Sequence, residues 1–82
     1  MKDTIRPQPE LKTGTYRHYS GKLYKVSGLA CHSETLEWYV LYEPLYEHTG
    51  MPDTWIRPYD MFMEQVEVAG KPVPRFEHID NS

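Results

Sequence analysis

Cys31, His32, Ser33 and Glu34 occupy four consecutive positions in "LACHSETLE", residues 29–37. A thiol, an imidazole, a hydroxyl and a carboxylate are the parts of a nucleophilic site or of a metal centre. Thiolate chemistry needs an imidazole within about 3 Å of the sulfur. Neighbours on a strand point to opposite faces, so Cys31 and His32 do not pair, and a base has to come from His18, His48 or His78. The simpler role for Cys31 is a small half-buried hydrophobe. A metal centre would draw on His32 and Glu34, which share a face, with His18 as third ligand. About 27 Å of extended strand separates His18's neighbourhood from His32, however. The spacings H-E-x-x-H and C-x-x-C are absent as well, so neither a metal nor a cofactor is expected. The plainest role for "HSET" is a connection between two strands. Ser33 and Thr35 hydroxyls then bond nearby amides, Glu34 faces water and His32 closes one end of the fold.

Other side chains with chemical potential lie elsewhere. His18, in "YRHY", has the ordinary pKa of a proton carrier, although a histidine between tyrosines is more often a packed ring. The guanidinium forks of Arg17 and Arg57 match a carboxylate or phosphate, but Glu34, Glu37, Glu43 and Glu64 offer them surface ion pairs. Tyr16, Tyr19, Tyr39, Tyr42, Tyr46, Trp38, Trp55 and Tyr59 exceed what one face of a small domain can bury. Small β domains use surplus aromatics as grooves for extended peptides or stacked bases.

Three functions follow from these groups. The favoured one is a binding module that takes a peptide or protein partner in an aromatic groove near Tyr39, Tyr46, Trp55 and Tyr59. The alternative is a small enzyme or ligand-binding domain that brings together His18, His32, Glu34 and Arg57. The third is single-stranded nucleic-acid binding, which requires basic residues on the aromatic face. Nine Lys and Arg against twelve Asp and Glu leave a net charge of −3, which weighs against that reading.

The elements that position these groups are β-strands. The 82 residues allow one domain, and 39% hydrophobic with 13% aromatic residues is a globular composition. The sole cysteine excludes an internal disulfide and fits a reducing cytoplasm. Residues 1–12 carry two prolines and little to bury, and read as an extended tail; a domain over 13–79 and a short end, 80–82, complete the chain. No stretch has the apolar run of a signal peptide or membrane span.

"TYRHY", 15–19, and "LYKVSGLAC", 23–31, alternate as strands around the turn "SGK", which places His18 near Tyr24 and Tyr16 near Val26. Tyr24, Val26, Gly28 and Ala30 share a face, and Gly28 is a natural position for a bulge. "LEWYVLYE", 36–43, is the strongest strand, with Leu36, Trp38, Val40 and Tyr42 toward the core. A loop through Gly50 and Pro52 leads to "TWIR", 54–57. "PYDMF", 58–62, suits a single 3₁₀ turn, and "MEQVEV", 63–68, alternates as a fifth strand. A Gly70–Lys71 turn follows, and in "VPRFEHI" Phe76 and Ile79 lie back over the open edge. The expected fold is all-β, a small five-stranded SH3-like barrel with one 3₁₀ turn before its last strand; an OB-type barrel is the alternative.

The segments "GTYRHYSGKLYKV", "ACHSET", "VLYEPLY", "WIRPYDMF" and "PRF" also resemble, as an ordered set, the bacterial family of small uncharacterised proteins called domain of unknown function 1653. The pattern runs from Gly14 to Ile79, and "EHTGMPD" is longer than it would have it. The resemblance implies a small β domain and no established activity. It includes His32, Ser33, Glu34 and Thr35 in the pattern and leaves Cys31 at a variable position.

Overall fold

The computed structural model describes residues 7–80. Residues 1–6 of the expected N-terminal tail, and 81–82 of the C-terminal one, lie outside the described residues. Seven strands and one helical turn follow each other as β1 (Gly14–His18), β2 (Leu23–Cys31), β3 (Trp38–Pro44), β4 (Trp55–Pro58), α1 (Tyr59–Phe62), β5 (Gln65–Val68), β6 (Lys71–Pro74) and β7 (Phe76–Asp80). Five of the strands form an antiparallel sheet in the order β4-β3-β2-β1-β7, and β5 pairs with β6 alone.

The all-β expectation holds, but the five-stranded barrel does not. The main sheet stays open, with β4 and β7 as its edges. Residues expected to make one last strand and a covering segment make three strands instead. Ala69 (φ 53°) and Gly70 (φ 79°) both take positive φ, the backbone of a tight primed turn, and fold β5 back onto β6. Pro72 and Pro74 strip N–H donors from one edge of β6, which leaves it with β5 as its one partner strand. The turn before them is also not 3₁₀. Met63 N–H donates to the Tyr59 carbonyl at 3.0 Å, four residues back, which is α-helical bonding, and Pro58 supplies the cap position.

The first hairpin closes two residues tighter than expected. The His18 carbonyl accepts from Gly21 N–H at 2.7 Å, and Gly21 (φ 104°) supplies the conformation that a three-residue loop demands. Tyr16 consequently stands opposite Tyr24, and Gly14 opposite Val26. A shift of two preserves the face, so His18 and Tyr24 still touch, with ring centroids 6.3 Å apart.

The bulge expected at Gly28 is present. The β2–β3 register slips between Val26 and Gly28, where Ser27 is the extra residue. Its consequence for the faces is a correction. Beyond the bulge Leu29, rather than Gly28 or Ala30, turns to the core and stands opposite Val40.

Tyr16, Val26, Val40, Tyr42, Phe62 and Phe76 make the core. Val40 and Tyr42 lie on the face of "LEWYVLYE" expected to be buried. Phe62 from α1 stacks on Phe76 from β7 at 4.2 Å, and both meet Tyr42 on β3. The curled sheet therefore carries β7 back toward the face of β3 and β4, and the aromatic filling closes what backbone pairing leaves open.

Candidate functional site

Period-two alternation sends His18 of β1, Tyr24 of β2, Tyr42 of β3, Arg57 of β4 and Phe76 of β7 to one face of the sheet. At one end of that face the Phe76 ring is a floor. His18 meets it edge-on at 4.9 Å and Tyr24 at 5.7 Å, Tyr42 lies tilted against it at 5.6 Å, and the Arg57 guanidinium lies 5.8 Å from its centroid. Arg57 Nε donates to the Tyr42 hydroxyl at 3.3 Å. From the loop after β3, Tyr46 brings its hydroxyl to 3.0 Å from that of Tyr24, and Lys22 Nζ stands 4.8 Å over the Tyr46 ring.

Burial, then the hydrogen bond to Tyr46, pushes the Tyr24 hydroxyl up to about 12, which keeps it protonated and neutral. Burial also lowers the His18 pKa, with Arg57, Arg75 and Lys22 adding repulsion. Ser20 N–H donates to His18 Nδ1 at 3.2 Å, which fixes the tautomer with its proton on Nε2. The result is a ring of donors around an aromatic floor. Arg75, beside Phe76 in sequence, pairs with Glu64 at 2.6 Å, yet its buried Nε has no hydrogen-bond partner among the described residues.

A second feature lies at the other side of the core. Residues 7–13 have no regular structure but run along the domain, held by side chains from three elements. Tyr59 of α1 donates to the Glu10 carbonyl at 3.0 Å, Tyr16 of β1 to the Lys12 carbonyl at 2.6 Å, and His78 Nε2 of β7 to the Thr13 carbonyl at 3.3 Å. Leu11 packs against the core. Pro7 and Pro9 face Trp38, Pro58 and Tyr59 across a cleft of about 170 Å³. A larger groove, about 830 Å³, follows the same segment past Leu29, Met63 and Phe76.

The residues expected to act together are divided between these places. His18 and Arg57 meet around Phe76. His32 and Glu34 lie beyond the far end of the nine-residue β2 from His18, and the His32 ring meets Tyr39, on the face of β3 opposite that of Val40 and Arg57, so the four do not come together. His32 has a structural task. Its Nδ1 accepts the N–H groups of Glu34 (3.1 Å) and Thr35 (3.2 Å), its backbone bonds close the turn to Leu36 and Glu37, and its ring lies 5.8 Å from Tyr39. The Thr35 hydroxyl accepts from Glu37 N–H, as the connection reading expects. Cys31 Sγ lies 3.8 Å from the His32 carbonyl and is half-buried.

The four aromatics expected to line one groove also separate. Tyr39 is on the opposite face of β3, and Tyr46 belongs to the Phe76 cluster. Trp55 bonds the Pro52 carbonyl at 3.0 Å, and Tyr59 lines the cleft beside the N-terminal segment. Arg17 leaves the cluster for an exposed pair with Glu77. Sequence reasoning passed over Lys22, Tyr24, Tyr42, Arg75 and Phe76 as site residues. Alternation alone could have put Tyr24 and Tyr42 on the face of His18, but the return of β7 over that face is a tertiary fact.

Among the described residues no group of three His, Cys, Asp or Glu side chains could hold a metal ion, and no helix is long and apolar enough to cross a membrane.

The comparisons agree with this architecture. A family model described as a protein of unknown function (DUF1653) matches residues 14–78. No curated protein matches the chain. A crystal structure of a protein belonging to DUF1653 from Bordetella bronchiseptica is similar over 89% of this chain and 92% of its own, with 36% identity and a TM-score of 0.80. Its likeness, together with a family match spanning β1 to β7, places the chain in the DUF1653 family.

Proposed function

We propose that the protein is a non-enzymatic binding module whose partner is an extended, proline-containing peptide. The observation that carries the reading is the seating of residues 7–13. Three hydroxyl or imidazole donors hold three carbonyls of a segment outside the sheet, while two prolines face an aromatic cleft. Carbonyls of an extended chain without internal bonds are free to accept, and aromatic grooves suit the stiff geometry of proline-rich segments. The partner takes the path of residues 7–13 in their place, with prolines against Trp38 and Tyr59 and an apolar side chain at the position of Leu11. A reducing, cytoplasmic setting belongs to this proposal, since Cys31 is a free thiol.

This moves the groove from the four aromatics expected to Trp38, Pro58 and Tyr59. The enzyme reading loses support because His32 and Glu34 stand apart from His18 and Arg57. The nucleic-acid reading loses it because Arg17 and Arg75 are paired with Glu77 and Glu64.

Titrating the full chain with a short Pro-x-x-Pro peptide, followed by NMR, tests the proposal. The expected result is a set of saturable shifts at Trp38, Tyr59 and residues 7–13, weakened in Tyr59→Phe. Absence of saturable shifts at saturating peptide, with the spectrum otherwise folded, removes the reading.

A further inference from the structure

The donors around Phe76 make a second site that the peptide reading does not use. Arg57 is held at both sides of its guanidinium plane edge and face, by the Tyr42 hydroxyl (3.3 Å) and by the Phe76 ring (5.8 Å). Such a restraint fixes a fork that would otherwise cost rotamer entropy to order. Arg17 and Arg75 each bond a glutamate, but among the described residues no carboxylate pairs with Arg57. Of the acidic groups nearest in sequence, Asp53 bonds His48, Glu64 bonds Arg75, and Asp60 is exposed on α1 and makes no ion pair with Arg57.

Around the fork stand neutral donors. The hydroxyls of Tyr24 and Tyr46 bond each other, and one donates to the other, so one hydroxyl hydrogen of the pair remains to be given. His18 carries its proton on Nε2, opposite the nitrogen that accepts from Ser20. The charged groups acting on His18 are Arg57, Arg75 and Lys22, all cations. A site rich in donors, in which no carboxylate among the described residues pairs with the fork, is complementary to an anion, and one planar fork beside hydroxyls matches two oxygens on one centre.

We infer that the Phe76 end of the sheet binds a small oxyanion, a carboxylate or a phosphate, through Arg57 with support from the Tyr24–Tyr46 hydroxyl pair and His18. Apolar atoms of the ligand would meet the half-buried Tyr46 ring. The inference stands independently of the proline cleft at Trp38, Pro58 and Tyr59, while the longer groove along residues 8–13 reaches Phe76 as well.

The test is an NMR titration of the full chain at constant ionic strength with acetate, with inorganic phosphate and with chloride. Acetate or phosphate produces saturable shifts at the Arg57 Nε–H, Tyr46 and Phe76, and chloride does not. Tighter binding of acetate assigns a carboxylate ligand, and tighter binding of phosphate a phosphorylated one. Arg57→Gln lowers the affinity about tenfold, the scale of one charge-assisted hydrogen bond. Arg57→Lys keeps charge without the fork and loses severalfold, as does Tyr46→Phe. Arg17→Gln, on the opposite face, changes nothing, and Tyr59→Phe leaves anion affinity intact while weakening peptide. Equal shifts with chloride overturn the inference, as does an Arg57→Gln affinity equal to that of the parent. If Arg57→Gln fails to fold, unchanged affinity in both Arg57→Lys and Tyr46→Phe overturns it.

Discussion

His18 and His32 show how differently one residue type is used within a single strand pair. His32 is a turn former, its Nδ1 capping two amides as a side-chain oxygen would. His18 is placed among aromatics and cations, and its pKa lies below the ordinary 6.5, first through burial and then through Arg57. In an NMR pH titration its midpoint is therefore expected below 6.5, and Arg57→Gln moves that midpoint upward by removing the largest of the cationic repulsions. An unchanged midpoint would separate the two side chains. The sign of the linkage is that of a depressed group. His18 favours the folded state above its unfolded pKa, and that contribution falls away as pH drops through the lower, folded value. The sequence held His18 and Arg57 as candidates, but their meeting depends on β1 and β4 lying across a curled sheet, whose strands are joined through β2 and β3.

At the scale of elements, two connections are tuned by single residues. In the loop between β3 and β4, His48 Nδ1 lies 2.8 Å from the Tyr46 carbonyl and Nε2 lies 2.8 Å from an Asp53 carboxylate oxygen. Both partners accept, so the geometry suits the imidazolium, which donates from both nitrogens. The Tyr46 carbonyl, then Asp53, raises its pKa above 6.5. A raised group contributes stability fully below its unfolded pKa and loses it as pH rises through the folded one. Amide exchange across residues 45–54 is expected to quicken as pH rises above 6.5, beyond the intrinsic base-catalysed increase, and His48→Gln should abolish the excess. Because the loop carries Tyr46 to Tyr24, this clamp also governs one wall of the Phe76 cluster.

The β5–β6 turn offers the second case. Ala69 has a Cβ at φ 53°, a conformation that costs an L-residue roughly 1 kcal/mol. Ala69→Gly should raise stability by about that amount, offset in part by the larger backbone entropy of glycine when unfolded; a lower midpoint in urea would count against the turn geometry. Here the sequence misled for a definable reason. Gly70 marked a turn, but alanine is not the residue that advertises a primed one, and two prolines within "KPVP" argue against a strand, so the pairing of Val66 with Val73 is what identifies the hairpin.

For the molecule as a whole, Phe76 links fold and site. It is 6% exposed, stacks on Phe62 and floors the donor ring, and it stands near the chain's end on a strand paired with the first strand, β1. Phe76→Ala should cost about 3–5 kcal/mol, most of the stability that a small domain has, and urea or thermal melts would reveal a largely unfolded chain at 37 °C. A cooperative melt within a few degrees of the parent would mean that the core does not depend on β7. What the sequence determined by itself was local. Alternation in "WYVLYEP" and in "LYKVSGLAC" as far as the bulge set strands and their buried faces, Gly28 marked the bulge, and "HSET" declared a turn, because each of these rests on contacts a few residues apart. What only the tertiary structure decided was long-range. The open five-stranded sheet with its separate two-stranded hairpin, the distance between His18 and His32, the scattering of Tyr39, Tyr46, Trp55 and Tyr59, and the gathering of Arg57, Tyr24, Tyr42 and Phe76 all follow from strand order and sheet curl, and those are fixed by which distant faces bury each other's rings.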